Sequence, residues 1–157
     1  RDLHSFPTRR SSDLIAMSYG YVYTAQIALG ANMGQAIKAI REAESYSGPS
    51  IIIAYSHCIN HGIDMMKGMN QQKIAVQSGV WPLYRYDPRL KAEGKNPFQL
   101  DSREPDYSLL EQYMYAEVRF KSLVQANPER AKMLLEKQRG LLERRYKEYR
   151  YIADRPF

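Results

Sequence analysis

The residues best suited to chemistry stand together in one short segment, His57-Cys58-Ile59-Asn60-His61, which contains the only cysteine of the chain. A free cysteine is often a small buried hydrophobic residue that does no chemistry. It can also act as a nucleophile if a neighbouring base such as His57 or His61 activates it. The second interpretation needs further catalytic groups, and nothing else in the sequence completes such a site.

The same segment could also hold a metal. His57, Cys58 and His61 offer three local ligands for zinc, but a structural zinc site needs four, and adjacent residues rarely point at one ion. An iron–sulfur cluster could instead take Cys58 as one of four thiolates, because its ligands need not be close in sequence. Residue chemistry alone leaves burial, nucleophile, zinc ligand and cluster ligand open.

The elements around Cys58 follow from the pattern of apolar residues. Residues 50–56 are apolar at nearly every position, which predicts a strand buried on both faces and hence a parallel sheet. Residues 21–29 predict an earlier strand, and residues 34–46 predict the helix between the two. Ligands of such βαβ sheets bind outside the carboxyl ends of the strands, so Cys58 is expected at that edge.

Two details of the predicted helix can be stated from the sequence. Asn32 is a suitable N-cap, and Gly48-Pro49 ends the helix. Ile37 and Ile40, with Ala36 and Ala43, are expected to form the face that packs on the sheet.

Further elements follow along the chain. We predict a helix over 70–78 with Ile74 and Ala75 inward, strands over 80–86 and 98–100, and helices from 107 to 123 and from Pro128 onward. The predicted fold class is therefore α/β, with a partial, open, mostly parallel sheet and crossover helices, followed by a C-terminal helical extension.

Composition excludes several classes of protein. One cysteine excludes a disulfide framework and is consistent with a reducing, cytoplasmic compartment. No apolar run approaches the roughly 18 residues of a transmembrane helix. A net charge of +6 without a focused basic patch does not indicate nucleic acid. We therefore expect a cytoplasmic protein without nucleic-acid or membrane partners.

The first fourteen residues, from Arg1 to Leu14, have no apolar periodicity. They lack the apolar core of a signal peptide, although an Arg- and Ser-rich stretch could pass for a transit peptide. The translation of a common short-read sequencing adapter matches them residue for residue. We interpret residues 1–14 as an artefact joined to a gene fragment, and we expect them to be disordered.

From Ile15 to about residue 150 the chain resembles the C-terminal part of the thiamine-diphosphate domain of pyruvate:ferredoxin (flavodoxin) oxidoreductases. Several separate motifs carry the resemblance in the same order. They are Ile15-Ala16-Met17-Ser18-Tyr19-Gly20-Tyr21-Val22-Tyr23, Glu42-Ala43-Glu44 with Gly48-Pro49-Ser50, Cys58-Ile59-Asn60-His61-Gly62, Ser78-Gly79 with Trp81-Pro82-Leu83-Tyr84-Arg85-Tyr86, and Gly94-Lys95-Asn96-Pro97-Phe98-Gln99-Leu100-Asp101-Ser102.

The resemblance implies an enzyme that oxidatively decarboxylates pyruvate on thiamine diphosphate with Mg²⁺. Acetyl passes to coenzyme A, and electrons leave through [4Fe–4S] clusters to ferredoxin or flavodoxin. Cys58 matches the fourth ligand of the cluster nearest the thiamine, as a metal and cofactor ligand. The resemblance also implies a cytoplasmic homodimer, and no catalytic residue is carried over.

The chain departs from the family pattern in what it lacks. The Gly-Asp-Gly of the diphosphate–magnesium motif is absent. We therefore expect a fragment that is inactive alone, with residues 15–105 from the thiamine-diphosphate-binding α/β domain and residues 106–157 as a helical extension. A related 2-oxoacid could replace pyruvate as substrate.

A non-catalytic binding module is the alternative from another class. It would use the basic stretch from Glu129 to Arg150, which carries eight Lys/Arg against four Glu. Such a run is usually a solvated helix face.

Overall fold

The computed structural model describes residues 10–156, and it contains a four-stranded sheet with helices on its faces and a helical C-terminal half. The strands and helices, numbered in chain order, are α1 Arg10–Ser18, β1 Tyr23–Ile27, α2 Met33–Ser45, β2 Ser50–Ala54, α3 Gly68–Gln77, β3 Tyr84–Tyr86, α4 Arg89–Ala92, β4 Phe98–Leu100, α5 Leu110–Tyr115, α6 Val118–Ala126 and α7 Pro128–Asp154. Short 3-10 turns cover Ile59–His61, Met65–Lys67 and Tyr107–Leu109. Across residues 10–156, no helix combines the length and the apolar character that crossing a membrane requires.

The sheet is open and has the strand order β2-β1-β3-β4. β1 runs parallel to β2, with Ala25 opposite Ile52. β3 runs antiparallel to both β1 and β4, with Arg85 opposite Ala25 on one side and Gln99 on the other. The α/β class and its crossover helix are confirmed, and parallel pairing is confined to β1 and β2, which makes the sheet mixed.

The β1–α2–β2 unit forms as the sequence predicts. Asn32 is the N-cap of α2, and its side chain accepts a hydrogen bond from the Gln35 backbone N–H at 3.0 Å. The predicted buried face was wrong for Ile37 and Ile40, which are 45% and 46% exposed. Ala36 and Ala39 pack on β1 instead, because their small side chains let the helix approach the strand closely.

The burial of β2 also differs from the prediction. Its residues were expected to be buried on both faces, but none of them is fully buried and Ile51 is 39% exposed. β2 is the last strand on its side of the sheet, whereas the inner strand β1 is buried at all five positions. The apolar sequence of β2 therefore stands at an open sheet edge.

The C-terminal half is helical, as expected. The predicted helix 107–123 is divided at Ala116 and Glu117 into α5 and α6. α7 begins at Pro128, and the Asn127 side chain caps it by accepting from the Arg130 N–H at 3.0 Å. One apolar cluster joins α3, α5 and α7 through buried residues, among them Ile74, Ala75, Leu110, Tyr113, Leu135 and Leu142.

The third predicted strand, 80–86, is shorter than expected. Its first residues form a connection in which the Trp81 indole N–H donates to the Ile27 carbonyl at 3.0 Å. The pairing with β1 begins only at Tyr84, two residues after Pro82, which cannot donate a backbone hydrogen bond.

The N-terminal segment is described from residue 10 onward. Residues 1–9 lie outside the described part of the chain, but residues 10–14 belong to α1. The Asp13 carboxylate is fully buried and accepts a hydrogen bond from the Tyr84 hydroxyl. The structure thus has residues 10–14 in α1, which packs the Asp13 carboxylate against Tyr84, while the interpretation of residues 1–14 as an artefact stays a prediction.

Candidate functional site

Cys58 lies four residues beyond the end of β2, at the edge of the sheet where β1 also ends. It precedes the 3-10 turn Ile59–His61, and the His61 N–H donates to the Cys58 carbonyl at 3.0 Å. Gly62 ends this turn with φ +70, a left-handed conformation that favours glycine. The turn leaves Cys58 partly exposed, and no hydrogen bond among the described residues uses its thiol.

The two histidines of the segment face different neighbours. His57 Nδ1 lies 3.3 Å from the Gln72 amide nitrogen, and the imidazole packs directly on Gly68. His61 Nδ1 lies 4.0 Å from the carboxylate of Glu117, which is buried and also accepts a hydrogen bond from Arg119. His57 thus faces α3, and His61 faces the junction between α5 and α6.

This arrangement bears on the metal interpretations. Within the described residues, no group of three or more His, Cys, Asp or Glu side chains could hold a metal ion. The local zinc site formed by His57, Cys58 and His61 is therefore not supported. A single partly exposed thiol fits one ligand position of a cluster whose other thiolates come from elsewhere, and it does not fit a complete cluster site.

A pair of tyrosines lies below the Cys58 loop. The hydroxyl oxygens of Tyr55 and Tyr113 are 2.9 Å apart, and the Trp81 ring meets Tyr55 edge-on at 5.3 Å between centroids. Burial is the main cause that raises the pKa of both tyrosines above the ordinary value. Both hydroxyls therefore stay protonated to higher pH than an exposed tyrosine, and their hydrogen bond links the end of β2 to α5.

A buried ion network accounts for several residues in the motifs that carried the family resemblance. Arg85 donates to both carboxylate oxygens of Asp101 at 2.8 Å and to the Glu42 carboxylate at 2.7 and 2.8 Å. Glu42 also accepts from the Tyr23 hydroxyl, and Asp101 accepts from the Gln35 amide. The network joins α2, β1, β3 and the end of β4, so its role is structural.

The basic C-terminal stretch is only partly a solvated face. Arg145 donates hydrogen bonds to the backbone carbonyls of Gly79 and Val80, with 2.9 Å to the latter. Arg139 and Arg150 form ion pairs within α7, with Glu136 and Asp154 respectively. The Arg145 contacts hold α7 on the domain, while the Arg139 and Arg150 pairs lie within the helix, and none of these contacts supports a binding module.

Two residues near Cys58 were missed by the sequence analysis. Gln72 and Glu117 are almost fully buried, yet both are polar residues whose types favour a helix surface. Gln72 is fourteen positions and Glu117 fifty-nine positions from Cys58, so spacing could not connect them to the segment. The one available signal was the Gln71-Gln72 pair, which a single residue separates from the apolar Ile74-Ala75.

Comparison with known proteins relates the chain to one enzyme group. No protein-family model matches it. A pyruvate-flavodoxin oxidoreductase of Nostoc sp. is 55% identical over 147 residues, which is 94% of the chain and 12% of that protein. A pyruvate:ferredoxin oxidoreductase of Moorella thermoacetica is 46% identical over 149 residues, 95% of the chain and 13% of that protein.

A protein of Euglena gracilis named as a mitochondrial pyruvate dehydrogenase (NADP+) is 44% identical over 144 residues, which is 90% of the chain and 8% of that protein. The chain thus spans about one eighth or less of the length of these relatives. By the sequence of this segment, the chain belongs to the family of the pyruvate-flavodoxin and pyruvate:ferredoxin oxidoreductases.

Proposed function

We propose that the chain is part of an oxidoreductase that oxidatively decarboxylates pyruvate, and that Cys58 is one ligand of a [4Fe–4S] cluster in it. In this reaction pyruvate loses CO₂ and two electrons, and its acetyl group is transferred to coenzyme A. The cluster, when bound, passes electrons one at a time to an acceptor. Ferredoxin or flavodoxin is the proposed acceptor, since the relatives are named for them.

One observation carries the assignment of Cys58. Cys58 is partly exposed at the carboxyl edge of the parallel strands, and its thiol has no hydrogen bond among the described residues. In open α/β sheets this edge is where ligands and cofactors bind. The neighbouring histidines face Gln72 and Glu117, which leaves the thiol as the free ligand group of the segment.

The remaining cofactor residues are proposed to lie outside this chain. Thiamine diphosphate and Mg²⁺ need a diphosphate–magnesium motif, and the sequence contains no Gly-Asp-Gly. Three further thiolates are also needed for a four-cysteine cluster. We therefore propose that the 157-residue chain is inactive alone, and that the parent enzyme works in the cytoplasm as a homodimer.

The names of the relatives support a role in the shared pyruvate step. They specify flavodoxin, ferredoxin and NADP(+), three different acceptors, while the aligned segment is 44–55% identical in all three proteins. We propose that the segment serves the pyruvate step that these names share.

Anaerobic reconstitution tests this proposal. The full-length protein, supplied with thiamine diphosphate, Mg²⁺ and coenzyme A, is expected to reduce a viologen dye only when pyruvate is added. The 157-residue chain under the same conditions is expected to show no turnover. If the full-length protein turned over another 2-oxoacid but not pyruvate, the proposed substrate would be wrong. If it turned over no 2-oxoacid, the proposed function would be refuted.

A further inference from the structure

Gln72 connects the end of β1 to the Cys58 loop. Its side-chain carbonyl oxygen accepts a hydrogen bond from the Gly30 N–H at 2.8 Å, and its amide nitrogen lies 3.3 Å from His57 Nδ1. Gln72 is only 5% exposed, so these two groups are its polar partners inside the fold. The side chain therefore spans two loops at the same edge of the sheet.

The first of these hydrogen bonds fixes the orientation of the amide. A carboxamide has one oxygen that accepts and one nitrogen that donates. Since the oxygen is held by the Gly30 N–H, the nitrogen must face the imidazole and donate to Nδ1. This bond selects the imidazole tautomer that carries its proton on Nε2 and holds the ring in one orientation.

Close backbone contacts hold the His57 ring and the β1 turn in place. A Cβ added at Gly68 would lie 2.2 Å from His57 Nε2, and one added at Gly30 would lie 2.6 Å from the Met69 carbonyl oxygen. Only glycine permits either approach. The first turn of α3 is thus packed against both loops that Gln72 bridges, which leaves little freedom for His57.

We propose that Gln72 is a positioning residue that sets the place of the Cys58 thiol by holding His57. Cys58 has no side-chain hydrogen bond of its own among the described residues, so its position depends on the backbone on either side. On one side is the clamped His57, and on the other is the turn closed by the His61 N–H on the Cys58 carbonyl. This inference rests on the proposed function of Cys58 as a cluster ligand.

Gln71 offers a matched control. It is a neighbouring glutamine on the same helix and is 3% exposed, but its amide donates to the Tyr113 carbonyl in the helical core. Gln71→Met and Gln72→Met remove the same chemical group at the same depth. The two variants differ in whether the lost hydrogen bonds held the Cys58 loop.

The first readout is alkylation of the only cysteine in the 157-residue chain. Losing these hydrogen bonds should make the loop open more often and expose more of the partly exposed Cys58, so Gln72→Met should speed alkylation of Cys58 by up to roughly thirtyfold. Gln71→Met should stay near the wild-type rate. Equal acceleration in both variants would show a global loss of stability and overturn the inference, as would no acceleration in either.

The second readout uses the anaerobically reconstituted full-length protein. Gln72→Met should change the shape of the electron paramagnetic resonance signal of the reduced cluster, because the Cys58 thiolate is displaced; Gln71→Met should not. An unchanged signal in Gln72→Met would overturn the positioning role. Full cluster content in Cys58→Ser would instead refute the proposed function, while the alkylation result would still report on Gln72.

Discussion

Arg85 and Asp101 form a two-point ion pair inside the domain, with Nε to Oδ2 and Nη2 to Oδ1 both at 2.8 Å. Glu42 occupies the remaining side of the guanidinium, and Arg85 is 5% exposed. Burial alone would lower the pKa of the Arg85 guanidinium, but the hydrogen bonds to Asp101 and Glu42 raise it above its ordinary value. The pair joins β3 to the end of β4 beneath the sheet.

Removing the Arg85 charge should therefore lower the free energy of unfolding much more than removing an exposed charge. Arg85→Met leaves two partly buried carboxylates without the guanidinium that balances their charge, a loss of about 3–5 kcal/mol, which is enough to unfold many domains. Lys95→Met breaks an exposed pair with Glu93 and should cost at most about 1 kcal/mol. Urea unfolding followed by circular dichroism measures both, and equal costs would contradict a structural role for the network.

The buried tyrosines predict a loss of stability at alkaline pH. Burial and the hydrogen bond to Glu42 raise the pKa of Tyr23, and burial raises that of Tyr113. The folded state therefore keeps protons that the unfolded chain releases above about pH 10. The contribution of these protonated hydroxyls to the free energy of unfolding is complete below that pH. It declines as pH rises, by about 1.4 kcal/mol per pH unit for each such tyrosine.

Tyr113→Phe should reduce the slope of this decline, since one tyrosine no longer contributes to it. The measurement is the free energy of unfolding in urea between about pH 8 and about pH 11. Tyr151→Phe, at an exposed position of α7, serves as the control and should leave the slope unchanged. A Tyr113→Phe profile as steep as the wild-type profile would argue against the buried hydroxyl pair.

Asp87 predicts a loss of stability at acid pH. Burial alone would raise the pKa of its carboxyl, but hydrogen bonds from the Arg89 side chain and backbone N–H outweigh burial and lower the pKa. The charged Asp87 carboxylate therefore stabilises the fold above the unfolded-state pKa of about 4. This stabilisation is lost as pH falls through the lower pKa of the folded state. Asp87→Asn should therefore flatten the acid limb of the stability profile.

The open β2 edge predicts self-association of the isolated chain. β2 carries three consecutive isoleucines. It has neither a charged residue nor a proline, which are the features that usually protect an edge strand. Ile51→Lys should reduce association measured by light scattering. Ile152→Lys changes a residue of nearly equal exposure on α7, 38% against 39%, and should have little effect. A wild-type chain that remains monomeric at high concentration would contradict this prediction.

The local parts of the fold could be predicted because their signals are local. The Asn32 cap, the Gly48-Pro49 stop and Pro128 at the start of α7 each act within one helical turn. The side of α2 that packs on the sheet could not be predicted, because Ile37/Ile40 and Ala36/Ala39 have the same spacing. Close packing on β1 selected the smaller pair.

The site could be predicted only as far as one segment reaches. Cys58 was located correctly beyond a strand, but its supports come from distant residues. Gln72 and Glu117 are polar side chains that the sequence would place on a helix surface, and both are buried. Gln72 contacts the loops at Gly30 and His57, whereas Glu117 accepts from Arg119 of α6 and lies 4.0 Å from His61. Such contacts depend on the tertiary arrangement of α3 and α6, which periodicity does not specify.

The central claim is that Cys58 is a cluster ligand, and the Cys58→Ser variant of the full-length protein tests it most directly. Iron and acid-labile sulfide per protein, with the electron paramagnetic resonance spectrum of the reduced state, are compared with the wild type and with Ser56→Ala, an exposed neighbour on the same segment. We predict that Cys58→Ser loses or alters one [4Fe–4S] signal and that Ser56→Ala keeps it. Identical iron, sulfide and spectra in Cys58→Ser and wild type would contradict the account.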